Sequence, residues 1–152
     1  MRIALGSDHA GFAAKEALKA RLRSLGHEVE DFGCGGPESC DYPDFVIPAA
    51  EAVASGRCER GFVFGGSGNG EAMAANKVPG IRAAVVTDAF TAEMARRHND
   101  AQVASFGTRV VPVERILELA GIFLATPFDG GRHQPRVEKI AAYEKRTAKG
   151  GK

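Results

Sequence analysis

Strand-like runs and helix-period stretches alternate along this chain from end to end, and that alternation restricts its architecture more than any other feature. The strand-like runs are RIALGS (2–7), HEVEDFG (27–33), GFVFGG (61–66), IRAAVVT (81–87) and AQVASFG (101–107). After the first, GFAAKEALKARLRSLG (11–26) places Ala14, Leu18, Leu22 and Leu25 at helical spacing, with Gly26 as a stop. Further helices are predicted over 44–56, 69–77, 88–99 and 111–126, and from Pro135 onward. Asp88 is suited to cap the helix that follows it, and Pro112 to open the next. Residues 34–43 read as loop by composition. The order β-α-β-α-β-α-β-α-β-α-α predicts one α/β domain with a five-stranded, mainly parallel sheet and a C-terminal helix. Ligands of such sheets bind beyond the carboxyl ends of the strands. Four stretches lie there: GSDHAG (6–11), GGSGNGE (65–71), TDAF (87–90) and FGTR (106–109).

At 152 residues the chain suits one domain with a full core. We set that domain at 1–146 and expect a flexible tail over 147–152, where AKGGK should fray. The formal net charge of +1 gives no bulk electrostatic case for a nucleic-acid or membrane partner. No stretch has the length of a membrane span, and the start, MRIALGSDHAG, is charged at once and has too short an apolar run for a signal peptide. Cys34, Cys40 and Cys58 are odd in number and lack C-x-x-C spacing. They read as reduced thiols without a metal or redox role, and the expected location is cytoplasmic.

GGSGNGE carries the chemistry. Gly66, Gly68 and Gly70 give G-x-G-x-G after the third strand, not the dinucleotide pattern G-x-G-x-x-G after the first, and no Gly-Lys-Ser/Thr follows for a nucleotide triphosphate. Glycine-rich turns that open a helix aim several backbone N–H groups at one point, where a phosphate or a developing oxyanion can sit. Glu71 would favour a helix start through the dipole alone. Beside concentrated N–H donors, it also suits proton abstraction next to a carbonyl.

Phosphate requires cations. Arg132 and Arg136, four apart at a helix start, share one face, and guanidinium pairs grip phosphate oxygens. Arg109 is a third candidate, whereas Arg96 and Arg97 read as solvated surface. Among the histidines, His27 reads as structural, His9 follows Asp8 in a strand-end loop, and His133 lies between the two arginines. His98 ends a helix in RRHND, where the dipole favours its protonated form. A proton role on a sugar ring oxygen and a simple C-cap account for His98 equally well.

GSDHAG (6–11), DYPDF (41–45), GGSGNGEAMAANKVPGIRAA (65–84), RRHNDAQVASFGTR (96–109) and GGRHQPRVEKI (130–140) together resemble the type B ribose-5-phosphate isomerases. That family also includes galactose-6-phosphate isomerase subunits and related aldose-phosphate isomerases. The resemblance runs from the first strand to about residue 146. It implies a Rossmann-like three-layer sandwich and an aldose–ketose isomerase that works without metal or cofactor. The reaction would interconvert ribose 5-phosphate and ribulose 5-phosphate through a cis-enediolate. The unit would be a homodimer, or a dimer of dimers, with sites shared between subunits. Many members use a cysteine base at the end of the third strand, but here that position is Gly65. The chain is similar to the branch in which the glutamate of GGSGNGE is the base.

Position by position, the resemblance implies the following roles. Glu71 moves the proton, while Ser67 and the N–H groups around Gly66, Gly68 and Gly70 steady the enediolate. Asp8 and Tyr42 bind sugar hydroxyls. His98 opens the furanose ring and Asn99 supports binding, both from the partner subunit. His9, Arg109, Arg132 and Arg136 hold the phosphate, with Arg109 also from the partner. Other sugar phosphates (tetrulose, allose or galactose phosphate) remain open as substrates. A sensor that binds without turnover, or one chain of a two-chain enzyme, fits less well, because the whole residue set is present.

Overall fold

The computed structural model describes residues 1–149. Its elements are β1 (Arg2–Ser7), α1 (Phe12–Ser24), β2 (Glu28–Asp31), α2 (Pro43–Ala54), β3 (Arg60–Gly65), α3 (Asn69–Ala75), β4 (Ala83–Val85), α4 (Ala89–Arg97), β5 (Val103–Gly107), α5 (Val113–Ala125) and α6 (Gln134–Lys149). A single 3₁₀ turn, Gly131–His133, leads into α6. Element order agrees with the sequence reading, and boundaries move by a few residues. Of the tail set at 147–152, helix α6 takes in 147–149, and 150–152 lie outside the described residues.

The five strands form one sheet in the order β2-β1-β3-β5-β4, with every neighbouring pair parallel. Strand alternation divides the core in two. Ile3, Leu5, Phe62, Phe64, Ala104 and Phe106 face α1, α4 and α5. Ala4, Val63 and Val103 face α2 and α3. The larger side carries stacked aromatics, with Phe62 and Phe64 each about 6 Å from Phe106, at 6.1 and 5.9 Å between ring centroids. The result is a three-layer α/β sandwich.

From β1 the chain steps outward to β2, then crosses back to β3 and continues toward the opposite edge. The strand order therefore reverses between β1 and β3, and open sheets bind ligands in the crevice at such a switch point. Close approach is required there. A Cβ on Gly11 would collide with the Phe64 Cβ at 2.5 Å and its carbonyl at 2.6 Å, so only glycine lets α1 begin against the end of β3.

Arg96 departs from the expectation of a solvated residue: it is 3% exposed. Its guanidinium donates to Asp100 Oδ1 (2.8 Å), to Ala101 O (2.7 Å) and to Thr126 O (3.3 Å), and lies over the Phe123 ring. Burial is tolerated because Nε and Nη1 donate to three oxygens, one of them a carboxylate. Nothing in the RRHND pattern distinguishes this arginine from Arg97, which is partly exposed and pairs with Glu93 and Asp129.

Candidate active site

The crevice between β1 and β3 is laced by backbone contacts. Asp8 N–H donates to Phe64 O (3.2 Å), Thr108 N–H to Gly65 O (2.8 Å), and Arg109 N–H to Gly66 O (3.0 Å). Thr108 Oγ1 reaches Ala10 O (3.0 Å) and Ser105 Oγ reaches Gly68 O (2.7 Å). The loops after β1, β3 and β5 are thus held as one surface. Gly68 adopts φ +82°, and a Cβ there would come within 3.0–3.1 Å of the backbone of Gly107 and Phe106, so the place favours glycine. Ser67 is exposed, and its Oγ accepts from Asn69 N–H (3.2 Å), fixing the start of α3.

Glu71 sits in the first turn of α3 and is 3% exposed. Its carboxylate occupies the volume that a side chain on residue 65 would take: a Cβ on Gly65 would coincide with the carboxylate atoms. The glycine at 65 and the glutamate at 71 are therefore one structural feature. Burial pushes the Glu71 pKa above its ordinary value. The N–H of Glu71 itself opposes that rise, the charge of Asp8 adds to it, and the N–H of Gly68 opposes it again. A buried carboxylate with a raised pKa beside backbone donors is equipped to accept a proton.

The other residues on this face converge on the same loop. Asp8 is buried, and its Oδ1 accepts from Gly11 N–H (3.0 Å). His9 Nδ1 accepts from Cys40 N–H (3.3 Å), which leaves the Nε2 edge to carry the ring proton. The Tyr42 ring lies against Gly70, so that a Cβ there would meet its ring and hydroxyl at 2.7–2.8 Å. The Arg109 guanidinium lies over Gly66, with Cζ 3.4 Å from a Cβ placed there. Arg109 therefore borders its own chain's glycine loop, where the resemblance implied a contribution from the partner. The reason is topological, since β5 neighbours β3 and residue 109 follows directly on its end.

A second cluster forms elsewhere. His98 ends α4, and its ring stacks on His133 with centroids 4.1 Å apart and planes 14° from parallel. Arg132 Nε and Arg136 Nη1 each come within 3.5 Å of a His133 ring nitrogen. The two arginines share one place as expected, but a 3₁₀ turn and a buried histidine bring them there rather than a single helix face. Arg82, just ahead of β4, donates to Asn99 O (2.8 Å) and Asp100 O (2.9 Å), fixing the turn that bears exposed Asn99.

Among the described residues, His98, Asp129 and His133 bring ligand-type atoms within 4.8 Å of one another. Arg97 already engages Asp129 at 3.1 Å, and Arg132 and Arg136 flank His133. Three guanidiniums favour an anion there over a metal cation. His133 and Asp129 escaped assignment from sequence. The signal for His133 was its position between the arginines; an Asp in a Phe-Asp-Gly-Gly turn offers none.

The two clusters lie at opposite ends of the sheet. Asp8 and Gly65–Glu71 follow the carboxyl ends of β1 and β3. His98 follows α4, which returns the chain from the carboxyl end of β4 to the amino end of β5. Residues 126–136 follow α5, which makes the same return from β5. The fold assembles each set and holds the two apart.

Residues 3–140 match the family described as "Ribose/Galactose Isomerase". Ribose-5-phosphate isomerase B of Clostridium thermocellum superposes with a TM-score of 0.95 at 50% identity, covering 97% of this chain and 99% of that one. Ribose-5-phosphate isomerase B of Escherichia coli (strain K12) is 43% identical over 145 residues, 95% of this chain and 97% of its own. D-erythrulose-4-phosphate isomerase of Pectobacterium atrosepticum is 39% identical over 145 residues, 95% of each chain.

Proposed function

Because this chain belongs to the ribose/galactose isomerase family, we propose that it interconverts D-ribose 5-phosphate and D-ribulose 5-phosphate through a cis-enediolate, with Glu71 as the base. The observation that carries this reading is the Glu71 carboxylate, buried at the head of the glycine loop in the volume left by Gly65. His98 opens the furanose ring. Glu71 takes the proton from C2 and returns it to C1, while a second proton passes from O2 to O1. Negative charge on the enediolate oxygens is met by the Ser67 hydroxyl and the N–H groups around Gly66, Gly68 and Gly70. Asp8 and Tyr42 hold sugar hydroxyls, Asn99 assists, and His9, Arg109, Arg132 and Arg136 take the phosphate.

In this reading each site is built from two copies of the chain, because the Glu71 set and the His98 set sit at opposite ends of one sheet. Exposed apolar side chains give such a pair material to bury: Phe90 and Met73 near the carboxyl ends of the strands, Ile140 and Tyr143 on α6. A groove of about 660 Å³ between α6 and the β4 edge, lined by Asn99, Ile140 and Tyr143 among others, supports the same arrangement. One isomerase domain over 1–146 and a cytoplasmic setting belong to this proposal, supported by three free cysteines. Among the described residues no helix is long and apolar enough to cross a membrane.

A four-carbon substrate is the second reading, favoured by the near-equal similarity to the erythrulose-phosphate enzyme. Turnover of the purified protein with ribose 5-phosphate, erythrulose 4-phosphate and allose 6-phosphate, without added metal in deuterated water, tests both. The expected result is a kcat/KM highest for ribose 5-phosphate with solvent deuterium incorporated. Binding with no exchange on any substrate would mean a sensor rather than an isomerase.

A further inference from the structure

His133 is 6% exposed, carries two ring nitrogens, and has no part in the mechanism above. Its position is costly to build. Gly130 (φ +63°) and Gly131 (φ +50°) both take conformations that L side chains rarely adopt, and the 3₁₀ turn that follows drives residue 133 inward beneath α4. His133 N–H donates to Gly130 O (2.9 Å), and Asp129 N–H donates to Arg97 O (3.0 Å), so the turn is fastened to the end of α4. The outcome is a flat ring 4.1 Å beneath His98 with a guanidinium at each nitrogen.

We infer that His133 is the positioning residue of the second cluster, its ring face fixing the plane of His98 and its ring edge holding Arg132 and Arg136 at a common spacing. The inference rests on the reading of His98 as the ring-opening residue. A parallel stack covers one face of His98 and leaves the edge, where both nitrogens lie, free to meet the sugar. Two stacked cationic imidazoles would repel. Burial pushes the His133 pKa down, and so do the charges of His98, Arg132 and Arg136, against a smaller opposing effect of Asp129. A lowered pKa favours the neutral form of the His133 ring. A neutral imidazole has one lone pair, which can accept from one of the two guanidiniums, while the other packs beside the N–H edge; an imidazolium could accept from neither.

The two functions separate by substitution. His133→Phe keeps a flat ring beneath His98 and removes the nitrogens. The expected result is near-normal kcat with a raised KM, because phosphate binding is largely common to ground and transition states. His133→Ala removes the ring as well, and ribose 5-phosphate turnover should fall about 10²-fold through misplacement of His98. Exchange of the C1 proton of ribulose 5-phosphate with deuterated solvent provides the second readout. That ketose is acyclic, since its O5 is esterified, so exchange requires Glu71 but no ring opening. In His133→Ala the exchange should persist while turnover from ribose 5-phosphate falls. Exchange and turnover reduced by the same factor, or a His133→Phe variant with wild-type KM, would overturn the assignment. If His133→Ala fails to fold, the KM of His133→Phe still decides it. Wild-type protein that neither exchanges nor turns over would instead remove the isomerase reading itself.

Discussion

At Gly65 the absence of a side chain decides where the Glu71 carboxylate can lie. A methyl group there would coincide with the carboxylate. Gly65→Ala should therefore expel it and lower kcat about as far as removing the base, roughly 10² or more, in a protein whose circular dichroism is unchanged. Glu71→Gln should lose a similar factor in kcat with little change in KM. Its stability carries an independent signature. Folding raises the Glu71 pKa above its ordinary 4.5, so the folded state holds that proton more tightly than the unfolded chain. The resulting stabilisation is present below the ordinary value and is lost as pH rises through the raised one. Glu71→Gln should thus melt at a higher temperature than wild type at neutral pH, with the gain vanishing in acid. Equal melting temperatures at both pH values would show that burial of the charge costs nothing. The glutamate and the glycines were legible in sequence, because a carboxylate after clustered glycines is a local pattern. Their mutual dependence was not, since it arises from residues six apart folding onto the same volume.

Elements were legible for a similar reason: each strand and helix is marked by its own period and its own stop. The Asp88 cap is an example, with its side chain accepting from Thr91 N–H and the Thr91 hydroxyl accepting from Asp88 N–H. What the periods concealed is how one element holds the end of another. The turn after α4 is gripped by Arg82, just ahead of β4, and by Arg96 from α4 itself, and it carries His98 and Asn99. Arg96 looked like a surface residue because two of its three partners, the carbonyls of Ala101 and Thr126, are backbone groups that no side-chain pattern records. Arg96→Ala should leave those buried acceptors unmet and cost roughly 2–4 kcal/mol in urea unfolding. A loss below about 0.5 kcal/mol, the size usual for surface substitutions, would mean that water replaces the guanidinium. The same variant should lower kcat more than Arg97→Ala, because only Arg96 grips the turn beside His98.

At the scale of the molecule, the sheet order made the crevice between β1 and β3, and parallel strands put the two residue sets at opposite ends. The candidate residues other than His133 and Asp129 could be proposed from sequence, but their separation could not, because it depends on the direction in which α4 and α5 return the chain. On the proposed mechanism every active site therefore draws on a second copy of the chain. Mixing two inactive variants tests that requirement most directly. Glu71→Gln and His98→Asn are each purified, unfolded together, refolded and assayed with ribose 5-phosphate. A mixed dimer holds one site with both residues intact, so random pairing should restore about a quarter of wild-type activity. A mixture that forms mixed dimers, shown by mass spectrometry, yet stays as inactive as its parents would contradict a site built from two chains.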